Sequence, residues 1–138
     1  MSQSAAAPLT LDTLDHLVLP VGDLQRTLAF YQDTLGMQPQ SFETAQGEHR
    51  WALRFGTMKI NLHLAGHEFD PKSARPTPGS ADLCFLTETP IAQWQKHLDQ
   101  MAVPVEEGPI TRTGALGPLL SLYIRDPDGN LIEIANPQ

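Results

Sequence analysis

Residues 14–37 read LDHLVLPVGDLQRTLAFYQDTLGM, and this stretch predicts a strand that leads directly into a helix. The mostly apolar run over 14–21 is typical of a strand. Asp23 is a suitable N-cap, because its carboxylate can accept a hydrogen bond from a free N–H of the first helical turn. Gly36 is expected to end the helix as its C-cap. Between these two residues, apolar side chains recur at the spacing of one helical face: Leu24, Leu28, Tyr31 and Leu35.

The remainder of the first half predicts three strands, at 40–44, 50–55 and 58–64. The second and third of these alternate apolar and polar residues, which is the pattern of a strand with one buried face. Residues 65–80 are polar and contain several prolines and glycines. This composition predicts a connecting loop between two halves of the chain.

The second half repeats the first. Residues 81–88 predict a strand, and Thr89-Pro90 predicts the start of a helix with proline at its first position. The expected buried face of this helix comprises Ile91, Trp94, Leu98 and Met101. Strands are expected at 103–106, 119–125 and 130–135, and Asp126-Pro127-Asp128-Gly129 predicts the turn between the last two.

The chain is therefore interpreted as two βαβββ modules, at about 14–66 and 80–136, repeated at a spacing of roughly 65 residues. Neither module has enough apolar residues for a stable core of its own, so the two are expected to pair. The predicted fold class is α+β, with the two modules forming a cupped, partly open barrel of β-strands. A single domain over 10–138 is expected, preceded by a flexible N-terminal segment at 1–9.

Composition narrows the functional classes. The chain has 138 residues, the size of one domain, and 41% hydrophobic residues, as in a folded protein. Its formal net charge of -7 disfavours binding to nucleic acids or to anionic membranes. Cys84 is the single cysteine, so no intrachain disulfide can form. There is no apolar run long enough to span a membrane and no signal peptide pattern, so a cytoplasmic location is expected.

Four residues are candidate metal ligands: His16, His63, Asp82 and Glu133. They lie on the predicted first and last strands of each module. If the modules face each other across a cleft, two imidazoles and two carboxylates would suit a divalent metal ion. A second interpretation stays open from the pattern alone. His63 and Glu133 each stand between apolar residues, so both side chains could equally face water.

Two motifs resemble a known family. The segment from His16 to Met37 and the segment Asp126-Pro-Asp-Gly-Asn-Leu-Ile-Glu-Ile134 are similar to the opening and the ending of glyoxalase I and its relatives. These form the vicinal oxygen chelate superfamily, which includes bleomycin resistance proteins and extradiol dioxygenases. The resemblance covers nearly the whole chain, from Leu14 to Ala135. Within it, residues 54–63 and 76–84 are similar to a subgroup called glyoxalase domain-containing protein 5.

The resemblance implies roles for the candidate ligands. His16 matches the family's first-strand histidine ligand, and Glu133 matches its final glutamate ligand. His63 falls at the inner-strand ligand position, and a register shift of two would place Asn61 there instead. Asp82 stands where glyoxalase I and the extradiol dioxygenases have a second histidine, which is a departure from the family pattern. The expected cofactor is Fe2+, Mn2+, Ni2+ or Zn2+, and the two carboxylates favour the harder ions.

The family's common chemistry gives the first functional expectation. A bound metal would hold two neighbouring oxygens of a small-molecule substrate and stabilise the resulting oxyanion. Lyase, isomerase or ring-cleaving dioxygenase chemistry would follow, with Asp82 or Glu133 as the catalytic base. The resemblance also implies a homodimer with a cleft built from both subunits. One alternative is a metal-free protein that binds a small molecule or an antibiotic. Another is a thiol-to-epoxide transferase, against which Asp82 counts.

Several other residues carry simpler expectations. Cys84 lies in an apolar strand and is expected to be buried. His49, His67 and His97 are expected at the surface. Arg54 could line the cleft or lie at the surface, and Lys59 could bind a substrate carboxylate or be solvated. Tyr123 and Arg125 share a strand, which faces either the cleft or its back.

Overall fold

The computed structural model describes residues 7–138 and contains two four-stranded sheets, each associated with one helix. The expected flexible segment at 1–9 falls mostly on residues 1–6, which lie outside the described part. Helix α1 spans Leu24–Ala29, with one π-helical turn at Phe30–Thr34, and α2 spans Ile91–Gln100. The strands are β1 (His16–Val21), β2 (Gln38–Glu43), β3 (His49–Phe55), β4 (Met58–Leu64), β5 (Asp82–Leu86), β6 (Glu107–Thr113), β7 (Pro118–Arg125) and β8 (Leu131–Pro137).

The two sheets have the same topology. Their strand orders are β1-β4-β3-β2 and β5-β8-β7-β6. In each sheet the first strand pairs in parallel with the fourth, and the other pairs are antiparallel. The predicted α+β fold with a repeated βαβββ order is thus confirmed. The described strands form two open sheets and no closed barrel.

One face of each sheet forms the core with the helices. Because side chains alternate along a strand, every second residue points to the helix side. The fully buried strand residues include Val21, Leu53, Ile60, Leu122, Ile124 and Ile132. They belong to one cluster with Leu28 and Tyr31 of the first helical segment and Leu98 of α2. The opposite face of each sheet has no helix on it, and the candidate ligands lie there.

The first helical segment begins at the expected N-cap, Asp23, and its C-cap is Leu35, one residue before the expected Gly36. Asp23 Oδ1 accepts a hydrogen bond from the N–H of Arg26 at 2.9 Å. Gly36 has φ +72°, a conformation that favours glycine after a helix. Two details of α2 differ from the expectation. Pro90 is the N-cap rather than the first helical residue, and Met101 lies past the helix end and is exposed.

The predicted strand at 103–106 is wrong. This segment connects α2 to β6, and the strand begins at Glu107. Val103 and Val105 are apolar because they pack against the core from the connection, not because they belong to a ladder. The backbone N–H of Val103 donates to Leu98 O at 2.9 Å, so this connection folds back against the C-terminal end of α2.

The Asp126–Asn130 turn fastens one module to the other. Buried Asp126 accepts hydrogen bonds from the hydroxyl of Tyr31 at 2.7 Å and from the side-chain amide of Asn130 at 2.7 Å. Asp128 Oδ1 accepts from the N–H of Gly22 at 3.0 Å. The turn therefore sets the orientation of the two sheets. Among the described residues, no helix is long and apolar enough to cross a membrane.

Candidate active site

The helix-free face of the first sheet, called face one below, is a grid of aligned side chains. Paired residues of neighbouring strands point to the same side of a sheet. His16 of β1 lies beside Lys59 of β4, which lies beside Arg54 of β3. In the next row, two residues along, Val18 lies beside Asn61. The third row contains Pro20 beside His63, with Arg50 on the neighbouring strand.

The helix-free face of the second sheet, called face two, has the same arrangement. Asp82 of β5 lies beside Leu131 of β8, and two residues along Cys84 lies beside Glu133. Tyr123 of β7 pairs with Glu133 on its other side. Ser121 and Arg125, two residues before and after Tyr123, therefore share this face. The sequence left open whether Tyr123 and Arg125 face the cleft or its back. This register places both on the side of Glu133.

A cavity of about 540 Å³ opens on face two. Its walls are mostly apolar and include Leu86, Leu116, Leu119 and Pro137. Its polar residues include Glu133, Tyr123 and Arg112. This combination of apolar walls and a few converging polar groups is typical of a small-molecule site.

The polar groups of this cavity hold one another in place. The hydroxyl of Ser121 donates to Glu133 Oε2 at 2.6 Å. Arg112 Nε donates to the hydroxyl of Tyr123 at 3.0 Å, and Arg112 Nη2 contacts Glu107 at 3.1 Å. Desolvation raises the pKa of Tyr123 above its usual value, with the nearby Glu133 charge acting in the same direction. Tyr123 is therefore a neutral hydrogen-bond donor at physiological pH.

Cys84 is exposed rather than buried, which contradicts the sequence-based expectation. Its neighbours Leu83 and Phe85 point to the core, so Cys84 points into the cavity on face two. Partial burial of the thiol, together with the negative charge of Glu133, raises its pKa to about 11. The thiolate is therefore scarce at neutral pH, and Cys84 is not an activated nucleophile.

On face one, His16 is oriented by the residue before it. His16 Nδ1 lies 2.9 Å from Asp15 Oδ1, and the His16 side chain is 45% exposed. The hydrogen bond from His16 is the main cause of a lowered pKa at Asp15. A carboxylate on Nδ1 directs the lone pair to Nε2, as it does behind many metal-bound histidines.

His63 lies apart from His16. It is opposite Pro20, four residues along β1, which puts the two histidines about 13 Å apart along the strands. His63 lines a separate cavity of about 460 Å³ beneath the loop at 65–80. Its ring packs edge-on against Phe69 at 5.2 Å between centroids. Desolvation and the charge of Arg50 lower its pKa.

The internal repeat places Asn61, rather than His63, at the position equivalent to Glu133. In the second sheet, Glu133 lies opposite the residue two after Asp82. In the first sheet, the residue opposite the one two after His16 is Asn61. Asn61 Oδ1 is buried and has no hydrogen-bond partner. A buried oxygen of this kind calls for an explanation, because burial without a partner is unfavourable.

Comparison with known proteins assigns the family. The model of the Glyoxalase/Bleomycin resistance protein/Dioxygenase superfamily matches residues 13–134. The chain belongs to this superfamily. The expected membership of the vicinal oxygen chelate superfamily is thereby confirmed.

Three relatives illustrate the range of the superfamily. "Virulence protein STM3117" of Salmonella typhimurium is 51% identical over 127 residues, covering 92% of this chain and 85% of the relative. Its crystal structure has a TM-score of 0.87, with 50% identity over 94% of this chain and 100% of that one. "Glyoxalase domain-containing protein RDO1" of Mycosarcoma maydis is 51% identical over 130 residues, covering 94% of this chain and 71% of the relative. TnmS3, an antibiotic binding protein from Streptomyces, shares the fold at 20% identity, with a TM-score of 0.72 and coverage of 95% and 100%.

A single chain of this superfamily member does not bring the four predicted ligands together. His16 lies on face one, whereas Asp82 and Glu133 lie on face two, two residues apart along neighbouring strands. Within residues 7–138, no three His, Cys, Asp or Glu side chains are grouped closely enough to hold a metal ion. A metal site made of these residues would require the two faces to meet in an assembly of two chains.

The donor chemistry itself fits a divalent metal. One imidazole with an oriented ring, two carboxylates and one unpartnered amide oxygen make a set that suits a hard or borderline cation. Ser121, which supports Glu133, and Arg112, which supports Tyr123, were not singled out from the sequence. The alternation of Ser121, Tyr123 and Arg125 along β7 was the available signal, because it matches the face of Glu133.

Proposed function

We propose that this glyoxalase-superfamily protein is a homodimeric, metal-dependent enzyme that acts on a small molecule with two neighbouring oxygens. Its active site would form between face one of one chain and face two of the other. The observation that carries the proposal is the matched register. His16 and Asn61 on face one correspond to Asp82 and Glu133 on face two, yet the two pairs lie apart within one chain.

Exposed apolar residues on both faces support the proposal that a second chain completes the site. Val18 and Phe42 on face one are 42% and 38% exposed, and Leu86 on face two is 61% exposed. Leu116, at the rim of the face-two cavity, is fully exposed. In a two-fold dimer each face one would meet the partner's face two, which gives two equal sites. Burial of these side chains would favour that arrangement.

The residues proposed to hold the metal are His16 from one chain with Asp82 and Glu133 from the other, and Asn61 as a possible fourth donor. A bound Fe2+, Mn2+, Ni2+ or Zn2+ would act as a Lewis acid on the two substrate oxygens. The strand register favours Asn61 over His63, since His63 is one further row along the sheet.

The chain's own groups then have distinct tasks. Asp82 or Glu133, through a carboxylate oxygen that does not hold the metal, would take a proton from the substrate. Tyr123, held by Arg112, would donate a hydrogen bond to the oxygen on which charge develops. The apolar cavity wall would exclude water from that site. These tasks suit lyase or isomerase chemistry and also ring-cleaving dioxygenation.

The decisive experiment mixes two variants that are each defective in metal binding. His16→Ala removes a face-one ligand and Glu133→Ala removes a face-two ligand. If each site draws on two chains, a mixed dimer contains one intact site. An equal mixture, unfolded and refolded together, should therefore recover about a quarter of the wild-type Mn2+ capacity by isothermal titration.

The control is a mixture of His16→Ala with Asp15→Ala/His16→Ala, in which both chains are altered on the same face and no intact site can form. Recovery in the first mixture alone supports the shared site. Full Mn2+ binding by both single variants would contradict the ligand assignment. Loss in both variants without recovery in the mixture would contradict the shared site.

A metal-free binding protein is the second candidate. It is favoured by the apolar lining of the face-two cavity, and the structural relative TnmS3 is named as an antibiotic binding protein. In this case a planar aromatic probe should bind the chelator-treated protein as tightly as the Mn2+-loaded protein. Leu119→Asp, inside the cavity, should abolish that binding, whereas His16→Ala should leave it unchanged.

A further inference from the structure

Face one carries three cationic side chains that lack a carboxylate partner: Arg50, Arg54 and Lys59. Within the described part of the chain, none of the three forms a hydrogen bond or an ion pair. Arg50 lies over the Phe69 ring at 3.9 Å and Lys59 over the Phe42 ring at 5.4 Å, so their partners are aromatic rings rather than carboxylates. The arginines of face two differ in this respect. Arg112 contacts Glu107 at 3.1 Å and Arg125 contacts Glu106 at 3.0 Å. Positive charge is thus paired with hydrogen-bonded carboxylates on face two, whereas the cations of face one have no carboxylate bonded to them.

Two of these cations, Arg54 and Lys59, lie in the row of His16. Lys59 is directly opposite His16, and Arg54 is directly opposite Lys59. Neighbouring strands are about 4.8 Å apart, so these side chains start within one or two strand spacings of the imidazole. Asp15 is the nearest acidic residue along this edge. It is already hydrogen-bonded to His16, and its side chain is 86% exposed.

The charge balance of the assembled site leaves these cations uncompensated. In the dimer described above, the charges of Asp82 and Glu133 are cancelled by a divalent metal ion. Asp15 offsets one cation at most. A positive charge would then remain beside the metal, next to a face-two cavity whose walls are mostly apolar, where an unpaired charge is costly. A ligand that brings a negative charge would relieve that cost.

We propose that the substrate is an organic acid, with a carboxylate bound by Arg54 and Lys59 and its vicinal oxygens directed to the metal site at His16. This inference rests on the proposed function and names its substrate class. The guanidinium of Arg54 can bind both carboxylate oxygens, while Lys59 supplies a point charge from the neighbouring strand. Hydroxy acids, oxo acids and dihydroxybenzoates all combine the two features, whereas neutral diols and aldehydes lack the charge.

The test compares two probes that differ by one carboxylate. Catechol and 3,4-dihydroxybenzoate share the ring and the vicinal oxygens. Their affinities are measured by isothermal titration on Mn2+-loaded wild type, on Arg54→Gln/Lys59→Gln and on Arg26→Gln/Lys96→Gln. The last variant removes the same charge from the exposed surface of the two helices. Oxalate is added as a small acid that is free of steric demands.

The acid should bind wild type about tenfold or more tightly than catechol, because one charged hydrogen-bonded pair contributes about 1.5 kcal/mol or more. Arg54→Gln/Lys59→Gln should remove that preference, and Arg26→Gln/Lys96→Gln should retain it. Equal affinity for the two probes, or no binding of either acid, overturns the proposal even if Mn2+ binds. If Mn2+ does not bind, the proposed function fails. The acid preference on metal-free protein, and its loss in Arg54→Gln/Lys59→Gln, then decides this inference separately.

Discussion

Face one and face two have the same strand order and the same register. They differ in how many of their polar side chains have a hydrogen-bond partner within the chain. On face two, the hydroxyl of Ser121 donates a hydrogen bond to Glu133. Arg112 donates to Tyr123 and to Glu107, and Arg125 forms an ion pair with Glu106. On face one, Asn61 Oδ1 and Arg50 Nε are buried without partners. The polar groups of face two are therefore held by hydrogen bonds within the chain, whereas on face one His16 is held by Asp15 and these two buried atoms have no partner.

This difference shows how a repeated module can take two roles. The register is shared, so each module offers two equivalent positions: His16 and Asn61 in the first, Asp82 and Glu133 in the second. The chemistry at those positions differs, with an imidazole and an amide on face one and two carboxylates on face two; face one also carries the cations Arg50, Arg54 and Lys59. In the proposed dimer, two faces of opposite character would complement each other, and electrostatic complementarity of this kind would favour one specific pairing.

The two faces keep their positions only while the two modules have a fixed orientation, which Asp126 stabilises. Substitution of Asp126 should therefore have the largest effect on stability. Asp126→Ala should lower the free energy of unfolding by about 3 kcal/mol or more, because several buried donors lose their acceptor. These donors are the hydroxyl of Tyr31, the side-chain amide of Asn130 and the N–H groups of Asp128 and Asn130. Urea unfolding at a fixed protein concentration measures the loss.

Asp128→Ala is the matched control from the same turn. Asp128 accepts one hydrogen bond, from Gly22, and its Oδ2 has no partner. Its loss should cost about 1 kcal/mol or less. Similar losses in both variants would contradict the central role of Asp126 in joining the modules.

The elements of the fold could be predicted wherever local chemistry decides them. Asp23 and Gly36 mark the ends of the first helical segment, because capping and positive φ are properties of single residues. The side of the sheet on which Glu133 lies could also be predicted, since Ile132 and Ile134 point to the core. The sequence could not show that the opposite face borders a cavity rather than bulk water.

The failures have a common cause in tertiary context. The apolar run at 83–86 hides the alternation that points Cys84 away from the core. Val103 and Val105 pack on the core from a connecting segment, and this burial resembles a strand pattern. Among the candidate ligands, the choice between His63 and Asn61 depends on the register of β4 against β1, which no residue of either strand fixes alone.

One substitution on each face should change the free energy of unfolding by a smaller amount, and in opposite directions on the two faces. Ser121→Ala removes the hydrogen bond to Glu133 and should lower the stability of metal-free protein by about 1 kcal/mol. Asn61→Leu keeps a similar volume and removes an unpartnered buried oxygen, so it should leave stability unchanged or raise it by up to about 1 kcal/mol. Both are measured by urea unfolding in the presence of a chelator. A clear destabilisation by Asn61→Leu would show that Asn61 is already satisfied in the free protein.

The smallest expected effect is the pH dependence contributed by His63. Desolvation and the charge of Arg50 outweigh the opposing charge of Glu68 and lower the pKa of His63 in the folded protein. The unfolded chain therefore takes up this proton first, and stability is lost as pH falls through the unfolded value of 6.5 towards the folded pKa. Between about pH 7.5 and about pH 5.5, wild type should lose more stability than His63→Gln in urea unfolding. His67 is an exposed histidine in the loop that follows β4, and His67→Gln should lose as much stability as wild type. Equal losses in all three proteins would mean that face one does not hold His63 in its neutral form.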